Sequence, residues 1–211
     1  MLIIIQARTN SKRFRNKIMT KIFGKPLIWH LLKRFQKVKY KIKVVVATST
    51  NKSDDKFIKY LKSQKIKFFR GSLLNVAKRM YDAAKKNNSS FFVRISADSP
   101  IIDPKVINKA IFIFKKNIKK FDLITNTFPK TYPQGQSVEI IKTSSLKKSL
   151  KHMNKEEKEH VTKFFYNNYK NFRIKNFVYY GNYKSKQAID TKKDLINIKK
   201  KFKNKFMENL R

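Results

Sequence analysis

Cysteine is absent from this 211-residue chain, which excludes a disulfide framework and a thiolate site and makes a cytoplasmic address the default expectation. Glycine is nearly as scarce, with four in all. Gly24, Gly71, Gly135 and Gly181 each fall at a predicted turn. Neither GxxxxGK[ST] nor GxGxxG occurs, so a P-loop and a dinucleotide fingerprint are excluded. No apolar run reaches about 18 residues, the length needed to span a bilayer. The opening strand is too short for the apolar region of a signal peptide. Acidic residues are also few: 13 Asp and Glu stand against 52 Lys and Arg, a formal net charge of +39. Such an excess suits nucleic acid or an anionic membrane surface. Here the cations are spread along the whole chain, and the aromatic clusters FFYNNY and FVYY read as core. The pattern is that of compositional drift, so neither a specific nucleic-acid partner nor membrane insertion is expected.

Of the 52 cations, 43 are lysines and 9 are arginines. Where lysine serves as the generic surface cation, an arginine marks a need for a planar, bidentate fork. Arg8, Arg13, Arg70, Arg79 and Arg94 all lie at or near the ends of predicted strands or in the turns after them. The first of these turns organises the chain. Ile3, Ile4 and Ile5 read as a strand buried on both faces. A polar loop with Arg8, Ser11, Lys12, Arg13, Arg15 and Lys17 follows, and then the apolar segment PLIWHLLKRF at helical spacing. Strand, cationic loop and helix together suit a polyphosphate, although a solvated basic surface has the same composition.

Further strands are predicted at 42–47, 66–69, 91–95 and 121–125, alternating with helices from Pro26 to about Val38, over FIKYLKSQ, over 74–86 and from Asp103-Pro104 to Lys116. This alternation predicts a three-layer α/β/α sandwich with a mostly parallel sheet and a Rossmann-like ligand crevice beyond the carboxyl ends of its strands. The polar ends QAR, ATST, RGS and RISADSP would share that crevice. After residue 128 the pattern is less regular. PKTYPQGQSVEII reads as a loop into an outlying strand, TSSLKKSLKHM and NKEEKEHVTKFFYNNY as helices, and FRIKNFVYY as a strand. AIDTKKDLINIKKKF reads as a short strand into a closing helix. One domain over 1–211 is expected, with a nucleotide-binding half over 1–127 and a sugar-side, closing half over 128–211.

Two carboxylates stand out. Asp98 follows a buried strand in RISADSP, and Asp190 ends KQAIDT before the last helix. Each is read either as a turn former or helix cap, or as a ligand for magnesium, which takes one or two carboxylates and completes its shell with phosphate oxygens and water. His160 could orient a substrate group or occupy a helix end.

Eight segments then resemble one family in order: IIQAR…S.R…K at 4–17, GKPL at 24–27, VVVATST at 44–50, FRGS at 68–72 (as FRGS within FFRGS), VRISADSPIIDP at 93–104, TYPQG at 131–135, EHVT at 159–162 and IDT at 189–191. The chain resembles the cytidylyltransferase family of the CMP-sialate and CMP-ketodeoxyoctonate synthetases, within it the branch named for the spore-coat polysaccharide biosynthesis protein SpsF. The resemblance implies a nucleotide-diphosphosugar transferase fold. It implies magnesium-dependent coupling of CTP to an acidic sugar, giving a CMP-sugar and pyrophosphate for surface polysaccharide or glycan synthesis. It further implies that Arg8, Ser11, Arg13 and Lys17 contact the CTP phosphates, with Arg94 also on the nucleotide. Ala47 and Thr48 would lie against the cytosine with Arg70 nearby. Asp98 and Asp190 would hold Mg2+, and Tyr132, Gln134, Glu139 and His160 would line the sugar side. Gln134 and Ser137 stand where the family often has aspartates. A homodimer is left open, as are two other readings of the chain: a nucleotide-sugar binding module and a basic nucleic-acid-binding protein.

Overall fold

The computed structural model of the chain describes residues 1–11, 13–118, 120–181 and 185–210; the loop cation Lys12 lies outside them. The strands are β1 (Leu2–Gln6), β2 (Lys21–Ile22), β3 (Lys25–Pro26), β4 (Lys43–Ser49), β5 (Phe68–Gly71), β6 (Phe91–Ser96), β7 (Leu123–Thr125), β8 (Glu139–Lys142) and β9 (Ile174–Asn176). The helices are α1 (Leu27–Phe35), α2 (Asp55–Ser63), α3 (Val76–Lys86), α4 (Pro104–Lys116), α5 (Thr143–Ser149), α6 (Lys155–Glu159), α7 (Lys163–Asn167), α8 (Lys192–Lys201) and α9 (Lys203–Leu210). Seven strands form one sheet in the order β5-β4-β1-β6-β8-β7-β9, and β2 pairs with β3 in a small hairpin. All neighbours in the large sheet run parallel except at β8, which is antiparallel to both β6 and β7.

β1 is the axis because its side chains feed both faces. Ile3 and Ile5 pack with Ile28, Leu31 and Phe35 of α1, Phe57 and Leu61 of α2 and Ile107 and Ile111 of α4. Leu2 and Ile4 point the other way, against Val76, Met80 and Ala84 of α3, Leu146 of α5 and Phe165 of α7. Alternation along a strand produces this division, and helices on both faces give the three layers. Ile3, Ile4 and Ile5 are each fully buried, a contribution of about 1.5–3 kcal/mol apiece. A third cluster joins Phe14 of the first loop, Ile22 and Leu27 to Ile189, Ile198 and Phe206, so the last two helices close over the hairpin side.

The five strands expected in the first part of the chain are present, and three expectations for the second part are corrected. β8 is not outlying. Its buried Ile140 and Ile141 belong to opposite faces, and it lies inside the sheet between β6 and β7. The helix expected over 154–169 is broken at His160, whose φ of −104° and ψ of 73° end α6 before α7 begins. No strand forms over AIDT. That segment is instead tied by the Ile189 amide, which donates to the Asp98 carbonyl at 2.9 Å.

Candidate active site

The first loop is built from its base outward. The Ala7 amide donates to the Ala47 carbonyl at 3.1 Å, continuing the pairing of β1 with β4 by one residue. Thr9 is held next: its amide and its hydroxyl donate to Asp54 Oδ1 at 2.8 and 2.6 Å. The Thr9 carbonyl in turn accepts from the amides of Ser11 and Asn16, at 3.0 and 2.8 Å, which closes the loop into a ring. Asn16 supplies the left-handed turn, with φ 55°. Phe14 and Ile18 are the buried anchors on either side of it. With its apolar residues turned in, the loop presents Arg13 and Lys17 outward from a fixed base.

Both cations meet the two aspartates. Arg13 Nη2 lies 3.0 Å from Asp190 Oδ1, and Lys17 Nζ lies 3.6 Å from the same oxygen and 3.5 Å from Asp98 Oδ2. Lys17 also donates to the Ile189 carbonyl at 2.8 Å. Asp190 is 7% exposed at its side chain and further accepts from Gln134 Nε2 at 2.9 Å and faces Lys186 at 3.1 Å. Burial alone would raise the pKa of Asp190. The hydrogen bond from Lys186 and the charges of Lys17, Lys186 and Arg13 overcome that penalty and hold it below the ordinary carboxylate range. Gly135 makes the approach possible: at φ +100° a Cβ would collide with the Gln187–Ala188 peptide, and the Gln187 amide donates to the Gln134 carbonyl at 2.7 Å.

These groups line a polar cleft of about 270 Å³ at the carboxyl ends of β1 and β6. Arg8, Ser11, Arg13, Lys17, Arg94, Asp98, His160 and Asp190 all border it. Larger hollows of about 650 and 540 Å³ lie at the opposite ends of the strands, around Phe91, and neither is bordered by a carboxylate. Arg8 pairs with Glu159 at 2.8 Å across the cleft mouth; with side chains 33% and 50% exposed, the pair is worth about 0–1 kcal/mol. His160 is at once the end of α6 and a wall of the cleft.

Other expected site residues lie elsewhere. Ala47 and Thr48 are fully buried, and the Thr48 hydroxyl donates to Asp54 Oδ2 at 2.8 Å. Arg70 clamps the turn after β4: it donates to the carbonyls of Ser49 and Asn51 and pairs with Asp55 at 2.7 Å. Tyr132 packs edge-on against Phe177 at 5.7 Å between ring centres, inside the core. Glu139 does not face the cleft either. It is 3% exposed, because Arg94, Thr162 and Tyr166 enclose its carboxylate. Gln134, by contrast, reaches the centre through Asp190.

The sequence reading passed over Asp54. This carboxylate is fully buried, and it takes hydrogen bonds from the amide and hydroxyl of both Thr9 and Ser49 as well as from Thr48. Burial would raise its pKa, and those donors together lower it instead. Its signal was the hydroxyl pair Thr48-Ser49 followed by SDD, a pattern shared with ordinary turn and cap segments.

Among the described residues, no three His, Cys, Asp or Glu side chains gather as a metal cluster. Two hard carboxylates suffice for magnesium when phosphates and water complete the shell. Asp98 and Asp190 already share one cation, the Lys17 ammonium, and so fit that donor set. A divalent ion would displace this ammonium from between them.

A mostly parallel α/β/α sheet, with a cationic loop facing paired aspartates at its carboxyl edge, defines a nucleotidyltransferase. The family model described as "Cytidylyltransferase" matches residues 2–210, and the chain belongs to that family. It is similar to the uncharacterized protein MJ1063 of Methanocaldococcus jannaschii, 34% identical over 172 residues that cover 81% of this chain and 69% of that protein. It is also similar to the spore coat polysaccharide biosynthesis protein SpsF of Bacillus subtilis, 26% identical over 208 residues covering 94% and 85%. Among solved structures, a cytidylyltransferase from Leptospira borgpetersenii superposes with a TM-score of 0.86 at 28% identity, over 97% of this chain and 95% of that one. A CMP:2-keto-3-deoxy-manno-octonic acid synthetase complexed with CTP shares the fold at a TM-score of 0.73 and 16% identity, over 96% and 98%.

Proposed function

We propose that this cytidylyltransferase couples CTP to an acidic sugar, with release of pyrophosphate, using Mg2+ at Asp98 and Asp190. The observation that carries the reading is that Arg13 pairs with Asp190, and Lys17 with both Asp190 and Asp98, in one polar cleft. In nucleotidyl transfer the acceptor hydroxyl attacks the α-phosphorus while pyrophosphate leaves in line. Positioning and charge neutralisation therefore do most of the catalysis. Arg13 and Lys17 turn from the carboxylates to the phosphates and take up the charge that grows on pyrophosphate, with Arg8 and Ser11 at the loop's other side. The metal supplies neutralisation of the α-phosphate and a lowered pKa for the attacking hydroxyl. His160, on the cleft wall, and Gln134, which reaches the cleft through Asp190, face the acceptor. The cytosine lies toward the carboxyl ends of β4 and β5, on the side of Ala47, Thr48 and Arg70. The similarity to the spore coat polysaccharide biosynthesis protein SpsF supports a place in surface polysaccharide synthesis.

The test is pyrophosphate release with each of the four nucleoside triphosphates, with and without Mg2+, against a panel of acidic sugars. CTP with Mg2+ should be preferred over ATP and GTP. Equal or better use of a purine nucleotide would overturn the assignment of the base.

A further inference from the structure

Glu139 is a buried carboxylate that touches no part of the cleft, yet it is bonded to a residue that does. Arg94 borders the cleft from β6, and its side chain is 17% exposed. Its Nε and Nη2 donate to Gln6 Oε1 at 2.9 and 2.7 Å, and its Nη1 donates to Glu139 Oε2. An arginine has five N–H groups in one plane. These three bonds fix that plane and leave two N–H groups on a guanidinium at the cleft wall. The other oxygen of Glu139 accepts from the Thr162 hydroxyl at 2.6 Å and the Tyr166 hydroxyl at 2.7 Å. The Tyr166 hydroxyl also lies 2.9 Å from that of Thr125 and 2.7 Å from that of Thr127. The ring of Tyr166 stacks on Phe128 at 4.8 Å and 11°.

We infer that Glu139, held by Thr162 and Tyr166, is a positioning residue that, together with Gln6, fixes Arg94 as an oxyanion-binding fork at the wall of the cleft. The inference rests on the proposed reaction only for the identity of the anion, which is a phosphate oxygen of CTP or the carboxylate of the acceptor. The clamp itself follows from the fold. Residues 94 and 139 are direct partners in the β6–β8 pairing, and α6 and α7 bring Thr162 and Tyr166 over them. An arginine without the clamp would sample many rotamers, and an anion would have to order it on binding. Burial opposes the charge on Glu139, but the Arg94 charge and the hydroxyl donors keep its pKa below the ordinary range. The same surroundings push the Tyr166 hydroxyl well above its ordinary value, so it remains a donor.

The test compares Glu139→Gln, Tyr166→Phe and Arg94→Lys with the wild type, each checked for folding by thermal melting. The first readout needs no substrate. In 15N spectra, a clamped Arg94 gives a protected Nε–H and separate, slowly exchanging Nη signals. The Nη signals should broaden or average in Glu139→Gln and weaken partly in Tyr166→Phe, which removes one hydroxyl and keeps the buried ion pair, while the Nε–H stays on Gln6. Sharp, unchanged Arg94 signals in both variants would overturn the clamp. The second readout is Mg-CTP titration by calorimetry and pyrophosphate release with 2-keto-3-deoxy-manno-octonate as the acceptor probe. Loss of a bond to a charged group predicts a drop of about 10- to 100-fold for Glu139→Gln. A drop in CTP affinity assigns the fork to phosphate, and a rise in acceptor KM alone assigns it to the carboxylate. Glu139→Gln should add little in an Arg94→Lys background, whereas fully multiplicative losses would mean that Glu139 acts independently of Arg94. Failure of the wild type to bind CTP counts against the proposed function, while the Arg94 signals still judge the clamp.

Discussion

Asp54 and Asp190 are both buried, 0% and 6% exposed, and they hold opposite ends of the same loop by different means. Asp54 grips the base at Thr9 through amides and hydroxyls, all neutral donors. Asp190 faces the tip through three cations, Arg13, Lys17 and Lys186. Neutral hydrogen bonds are directional and offer little to an arriving anion. An ionic cluster is exchangeable, because triphosphate oxygens compete for the same guanidinium and ammonium groups. The loop is thus fixed where it leaves the sheet and free to trade partners where it meets substrate.

The largest expected effect is at the exchangeable end. Asp98→Asn should lower pyrophosphate release from CTP by more than about 100-fold, since a neutral amide holds magnesium poorly against water. Its melting temperature should change little. Near-normal turnover in the folded variant would reduce Asp98 to a turn residue.

Arg13→Ala comes next. A charge-assisted contact that strengthens toward the transition state is worth about 2–4 kcal/mol, or about 30- to 1000-fold in kcat/KM. Arg13→Lys should recover only part of that, keeping the charge and losing the fork. Arg15→Ala, an exposed neighbour, should be nearly silent. Equal and small effects at all three would make the loop a solvated basic surface and erase the contrast between its ends.

At the fixed end the effect should appear as stability. Asp54→Asn turns part of a five-bond acceptor into a donor that faces other donors. About 2–3 kcal/mol should be lost, lowering the melting temperature by about 4–12 °C. Calorimetric melting checks this, and a shift below about 2 °C would mean that Asp54 is not what holds Thr9.

The smallest effect is acid sensitivity. Asp194 caps α8 and bonds Lys186, and although burial opposes its charge, the Lys186 bond and the amides of Asp190 and Thr191 bring its pKa down to about 2. A carboxyl with a lowered folded-state pKa stabilises fully above its unfolded pKa near 4 and loses that contribution as pH falls toward 2. Asp54, Asp190 and Glu139 shift in the same direction. Stability followed by denaturant titration should therefore fall with pH below about 4, and Asp194→Asn should flatten part of that slope.

Much of this was legible in the sequence because it depended on local patterns. Runs such as Ile3–Ile5 and IKVVVA read as buried strands from their β-branched residues and short length, and helical spacing between them pointed to a parallel sheet. The cationic loop and Asp98 were found because each follows such a strand, and Asp190 because it stands just before the predicted closing helix, α8. What escaped notice depended on partners distant in sequence. Asp54 resembled any turn aspartate until Thr9, 45 residues earlier, was placed beside it. Glu139 falls in a segment that reads as a loop into an outlying strand, and only its pairing opposite Arg94 explains a charge inside the sheet. For the same reason, a glutamate with an arginine partner was expected at the sugar side when it lies behind the wall.

The reversed direction of β8 has a consequence for how acceptor choice can diverge. β7 ends at Thr125 and β8 begins at Glu139 on the same edge of the sheet, and these two residues are paired in register. Residues 126–138 therefore leave and re-enter the sheet at one point, like a handle attached to a frame, and carry Gln134 to Asp190. Tyr132, Gly135 and Gln136 anchor the handle, and the pairing of Thr125 with Glu139 keeps the strands in step. Changes at its exposed positions, 129–131 and 134, can in this way alter what meets Asp190 without disturbing the sheet.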